Sequence, residues 1–172
     1  MSRRPLAIGL GLLLALGLLG LALDMRGRPH VPVRGWMGFG FGRAIDYQAC
    51  GFHTGQDWFA PAGSPIFAVS DGRVVYVGPL WISGPGVGRG EQAIVIDHGG
   101  WTGTYSHNRL ATVQAGETVE RGAVIGEVGS EGFSRGPHLH FEHVAAAFSG
   151  DWQAPFSGCQ DYRDPGSRWA WY

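Results

Sequence analysis

Residues 62–78 read AGSPIFAVSDGRVVYVG, and residues 115–129 read AGETVERGAVIGEVG. Both stretches open on Ala-Gly, carry a short apolar run, turn at a glycine and close a second run in Val-Gly. Short runs rich in Val and Ile, bounded by Gly, Ser, Asp and Pro, read as strands rather than helices. The pattern predicts strands at 66–69, 73–77 and 124–128, with Asp71-Gly72 as a hairpin turn between the first two. Working outward, the same pattern predicts strands at 93–97, 103–107 and 138–144. Glycine supplies 30 of 172 residues, against roughly 7% in average proteins. It has no G-X-Y period, which excludes collagen, and a hydrophobic share of 44% excludes a disordered chain.

The repeated stretch resembles the hybrid motif of biotinyl and lipoyl carriers, where paired hairpins stack into a small flattened barrel. The expected fold is mostly β, an antiparallel sheet core of the barrel-sandwich-hybrid type. Long loops form a groove, and one N-terminal hydrophobic helix precedes the core. Carrier chemistry is excluded, because the 13 basic residues are all arginine and no lysine exists to carry a cofactor. Residues 84–90, GPGVGRG, lack a following Gly-Lys-Ser/Thr and read as a loop, not a phosphate cradle. A net charge of −1 without a basic stripe argues against nucleic acid as a partner.

Residues 5–23 are an unbroken apolar run behind Arg3 and Arg4. As a helix it would span about 28 Å, close to the hydrocarbon thickness of a bilayer. It reads as a membrane anchor with the remainder exported, or as a cleaved signal peptide. The expected organisation is anchor or signal over 1–23, linker over 24–44, and one domain over 45–172 with an aromatic tail. The domain would lie on the periplasmic or extracellular side of the envelope, held at the inner membrane by residues 5–23 or secreted. In that setting Cys50 and Cys159 read as one disulfide, with two buried thiols as the alternative. The tail aromatics Phe148, Trp152, Phe156, Tyr162, Trp169, Trp171 and Tyr172 either pack on the sheet or line a sugar or peptide groove.

The chemistry concentrates in histidines. His53 and Asp57 stand four apart, and His138-Leu139-His140 places two imidazoles on one face of a strand. His138, His140 and Glu142 then share an exposed face, while Leu139 and Phe141 enter the core. Three nitrogen and oxygen ligands with a fourth position open make a catalytic zinc site. His53, Asp57 and one histidine of the pair could supply them. The other histidine and His107 would remain for proton transfer or oxyanion stabilisation.

With these motifs in place, residues 51–144 resemble the lysostaphin-type (M23 or LytM-like) zinc metallopeptidases, which cut peptide bonds in bacterial peptidoglycan. The resemblance rests on HTGQDWFAPAG (53–63), AVSDGRV (68–74), VIDHG (95–99), TYSH (104–107), AGETVERG (115–122), IGEVG (125–129) and GPHLHFE (136–142). It implies one Zn2+ per chain held by His53, Asp57 and His140, with His138 and His107 as catalytic histidines. It implies a peptidoglycan peptide as substrate. A relative that has lost catalysis and instead activates a cell-wall amidase is the alternative, but all five positions are filled here. The resemblance also gives Glu142 a supporting role and His98 a structural one, while His30 and His143 read as solvent-exposed. Three departures stand out: Gln56 where an apolar residue is usual, a Gly-rich loop over 78–92, and an insert with Cys159 before Asp164-Pro165. Loop and insert are expected to wall the substrate groove.

Overall fold

The computed structural model describes residues 30–46, 48–80 and 91–166. Among them the strands are β1 (Trp36–Met37), β2 (Gln56–Phe59), β3 (Pro65–Phe67), β4 (Gly72–Leu80), β5 (Glu91–Asp97), β6 (Thr102–Ser106), β7 (Asn108–Ala111), β8 (Thr118–Val119), β9 (Val124–Val128), β10 (His138–Val144) and β11 (Tyr162–Arg163). The described residues contain no α-helix, only a 3-10 turn at Cys159–Asp161, and no helix among them is long and apolar enough to cross a membrane. The anchor or signal expected over 5–23 and the glycine loop over 84–90 lie outside the described residues.

The two repeated stretches exchange strands instead of each closing its own hairpin. β3 pairs antiparallel with β9, and β4 with β8. The hairpin expected at Asp71-Gly72 is therefore corrected: the turn exists, but its two strands belong to different sheets. Residues 68–71 separate β3 from β4, too many for a two-residue hairpin loop. The turns dock on each other through Arg121 N–H to Asp71 Oδ1 (2.7 Å), Ala68 N–H to Ala123 O (2.9 Å) and Gly122 N–H to Ala68 O (2.8 Å). The exchange buries Ile66, Ala68, Val69 and Val74 together with Val119, Ile125 and Val128 in one core.

A larger sheet of eight strands runs β1-β2-β10-β6-β5-β4-β8, with β11 also on β10. A second sheet of three runs β3-β9-β7. β10 lies between β2 and β6, and all seven of its residues are buried. The exposed face expected for His138, His140 and Glu142 is therefore corrected. Strands on both edges and loops above enclose it, so it forms the floor of a cleft.

Residues 30–44, within the stretch expected as linker, contribute to this unit. Val33 is fully buried and bridges Ile66, and β1 pairs with β2. The Cys50–Cys159 disulfide joins the segment before β2 to the C-terminal insert across 109 residues. Closing a loop of that length stabilises the fold by about 4–5 kcal/mol in the chain-entropy account. Three of the described tail aromatics pack: Phe148 lies on Tyr76 of β4 at 5.2 Å between ring centres, and Phe156 on Tyr162 at 5.9 Å, whereas Trp152 is exposed. Trp169, Trp171 and Tyr172 lie outside the described residues.

Candidate metal centre

Asp57 on β2 stands opposite His140 on β10, and His140 stands opposite Ser106 on β6, so one transverse row crosses the sheet. The next row on the same face pairs Phe59 with His138. His53 enters from the segment before β2, held by its own N–H on Arg43 O at 2.8 Å. Gly55 makes the approach possible. A Cβ there would lie 2.4 Å from Phe141 O and 2.9 Å from His140 Cε1, so any other residue would push the ligand loop off β10.

The hydrogen bonds decide which ring nitrogens carry protons. His53 Nδ1 faces Gly40 O at 3.0 Å. A carbonyl can only accept, so Nδ1 donates to it and leaves Nε2 as the nitrogen that faces Asp57 Oδ1, 3.1 Å away. His140 Nε2 faces Glu142 Oε1 at 3.3 Å, which sets its Nδ1 against the same Asp57 oxygen at 2.9 Å. Lone pairs at such distances repel unless a cation lies among them. Ligand atoms from all three residues fall within 4.8 Å of one another, and all three residues are buried. Ligands at 2.0–2.1 Å from a tetrahedral zinc are separated by roughly 3.3 Å, so this donor set fits that ion.

Without a metal, protons fill the same role. Burial disfavours the Asp57 carboxylate, yet hydrogen bonds from His140 and His53 outweigh it and hold the group well below the usual carboxylate range. Burial likewise opposes charge on His140, but its bonds to Asp57 and Glu142 push it up to about 10. Glu142, fully buried, also accepts from Thr54 Oγ1 at 2.6 Å. A carboxylate behind a metal-binding imidazole fixes its tautomer and raises its basicity.

His138 and His107 complete the floor, with ring centres 4.5 Å apart. Their Nδ1 atoms donate to Gly136 O (2.8 Å) and Glu131 O (2.7 Å), respectively, so in each neutral ring Nε2 is the acceptor. His138 Nε2 lies 3.8 Å from Asp57 Oδ1. Burial lowers the pKa of His138, and burial with the neighbouring His138 and His140 drives His107 down to about 3. Both rings are bases in their resting form. His107 also has φ of 66°, the one positive value outside glycine among the described residues.

The five predicted residues thus meet at one end of a cavity of about 530 Å³. Its first wall is the segment carrying Phe39 and Arg43, and the loop carrying Phe133 and Arg135 also lines it. The expectation that the insert forms a wall is corrected for its described residues: none lines the cavity, and the insert braces the first wall through Cys50. His98 is structural as expected, bonded to Asp71 O at 2.9 Å and stacked on Trp101. His143, expected at the surface, is buried and meets the edge of Trp101, because it alternates onto the core side of β10. His30 is half-buried against Phe67. Gln56 binds Phe39 O (3.0 Å) and Asp57 O (2.9 Å), tying the first wall to the ligand strand. Thr54, Ser134, Arg43 and Arg135 were not singled out by the sequence, since a lone hydroxyl or arginine in a loop carries no periodic signal.

Comparison with known proteins follows this geometry. Residues 51–151 match the model of peptidase family M23. Glycyl-glycine endopeptidase ALE-1 of Staphylococcus capitis is 36% identical over 103 residues, 58% of this chain and 26% of that protein. Peptidoglycan DD-endopeptidase ShyB of Vibrio cholerae is 35% identical over 91 residues, 52% of this chain and 20% of that protein. The matched stretch therefore spans about a quarter or less of these relatives. Among solved structures, the catalytic domain of lysostaphin from Staphylococcus simulans superimposes with a TM-score of 0.60 at 28% identity, covering 77% of this chain and 90% of that domain.

Proposed function

This chain belongs to peptidase family M23, and from that premise we propose that it is a zinc-dependent endopeptidase hydrolysing peptide bonds of bacterial peptidoglycan. The observation that carries the reading is the convergence of His53, Asp57 and His140 on one point, beside two histidines that present Nε2 as acceptor. His53 Nε2, Asp57 Oδ1 and His140 Nδ1 would hold the zinc. Bound there, zinc supplies Lewis acidity toward water and toward the scissile carbonyl at neutral pH.

The protein's own groups supply the rest. His138, neutral and anchored through Nδ1 on Gly136 O, accepts the proton of the attacking water at Nε2 and returns it to the leaving amine. His107 rests neutral with its Nδ1–H on Glu131 O; negative charge developing on the carbonyl oxygen favours uptake of a proton from solvent at Nε2, which then donates to that oxygen. Phe59, 5.8 Å from the His138 ring, lines the cavity and limits water around it. The substrate lies outside the cytoplasm, which accords with the disulfide.

The test is zinc content together with lysis of purified peptidoglycan, for wild type and His138→Ala. About one zinc per chain in both proteins, with lysis confined to wild type and abolished by chelation, is the expected result. Zinc-loaded wild type that lyses no wall type would overturn the reading.

A further inference from the structure

β2 and β10 pair from Phe59–His138 to Gln56–Phe141, and there the ladder stops. At His53 the chain has already changed partners: its N–H bonds Arg43 O (2.8 Å), and its carbonyl accepts from Gly42 N–H (2.9 Å). Thr54 and Gly55 make the crossing between the two pairings. A side chain ties that crossing to β10. Thr54 Oγ1 donates to Glu142 Oε1 at 2.6 Å, and the two residues are buried, at 1% and 0% exposure. His140 Nε2 lies 3.3 Å from the same Oε1, whereas Oε2 has no hydrogen-bond partner among the described residues. One carboxylate oxygen therefore joins the residue after the first ligand to the ring of the third. Thr54 does not line the cavity, so its influence on the centre runs through Glu142. A hydroxyl donating to a carboxylate makes a strong bond. The branched Thr side chain restricts χ1, so the hydroxyl is held in place. With Oε1 fixed there, the His140 proton that faces it sits on Nε2, and Nδ1 is left for a metal.

Resting on the zinc site of the reading above, we propose that Thr54 is a positioning residue for the metal centre. Its hydroxyl clasps Glu142, so that one oxygen both bridges the gap where the ladder ends and holds the His140 ring in its metal-binding tautomer. The placement of His53 against His140 then depends on a side-chain bond where the backbone bonds have run out.

The experiment uses the metal-free full chain and zinc alone, with affinity read by competition with a chelating dye. Thr54→Val keeps the branched shape and removes the hydroxyl. Thr54→Ser keeps the hydroxyl and removes the methyl group. Zinc Kd is expected to rise about tenfold or more in Thr54→Val, as for other partners behind a metal ligand, and to stay near wild type in Thr54→Ser. By NMR of the isotope-labelled, zinc-loaded protein, the His140 Nε2–H should exchange slowly in wild type and Thr54→Ser, and faster in Thr54→Val. An unchanged Kd in Thr54→Val overturns the clasp. So does a loss in Thr54→Ser as large as in Thr54→Val, because Thr54 then acts through packing. Should Thr54→Val not fold, Thr54→Ala against Thr54→Ser carries the same comparison. If no protein lyses any wall, the expected Kd ratio supports the clasp while the peptidase reading fails. A wild type that takes up no zinc overturns both.

Discussion

Ile66 and Ile125 lie in the two exchanged stretches, and His53 and His140 lie in the metal centre; all four are buried. The isoleucines are held by shape and area, and their strands are satisfied by backbone bonds that any apolar residue would leave in place. The histidines are held by single polar partners: Gly40 O behind one, Glu142 behind the other, and Asp57 between them. Stability in the first region is spread over many interchangeable contacts. In the second, each atom has one assignment, and losing it leaves a buried polar group without its counterpart.

Breaking the metal centre should give the largest effect. Asp57→Ala is expected to abolish zinc uptake and to lower kcat/KM by at least about a thousandfold, because two ligands and an unbalanced buried His140 remain. Metal analysis and turnover check it, with circular dichroism confirming that the sheets persist. In the exchanged stretches, Ile66→Ala and Ile125→Ala should each cost about 2–5 kcal/mol in denaturant unfolding. Their zinc affinity should stay near wild type, and a loss there comparable to the ligand variants would erase the contrast.

Glu142→Gln sharpens the comparison from the polar side. It keeps size and burial but removes the charge behind His140, and zinc affinity should fall about 10–100-fold by competition with a chelating dye. The pH dependence is smaller per unit. Without metal, the His140 pKa is raised from 6.5 to about 10. Its proton therefore stabilises the metal-free fold in full below pH 6.5, and that stability is lost as pH rises toward 10. Zinc must displace this proton, so the zinc-induced gain in stability should widen by about 1.4 kcal/mol per pH unit within that window. Thermal melts with and without zinc at pH 7, 8 and 9 measure the slope. The smallest effect, about 1 kcal/mol, is expected for Asp71→Ala, which frees the Arg121 N–H where the two turns dock.

Strands 66–69, 73–77, 93–97, 103–107, 124–128 and 138–144 were legible because Val and Ile runs between glycines mark them, and they lie within a few residues of the observed bounds. Their pairing was not, since a repeat that exchanges strands has the same local pattern as one that closes hairpins. β2 was missed: Gln56-Asp57-Trp58-Phe59 shows no apolar alternation, and its burial comes from β1 and β10 on either side. The site was more legible than the groove. His53, Asp57, His107, His138 and His140 stand in distinctive spacings, whereas the walls are loops whose positions depend on long-range ties such as Cys50–Cys159 and Gln56 to Phe39.

His107 carries one further consequence through its backbone. A left-handed conformation at a non-glycine residue costs about 1–2 kcal/mol, and here it is what turns the imidazole from the end of β6 into the cleft. The resting protein therefore holds a small reserve of misfit at the place where it needs a partner for the developing oxyanion. Glycine there would relax the backbone but remove a buried ring packed against His138 and bonded to Glu131 O, so the strain is kept in place by the contacts of the side chain that it orients.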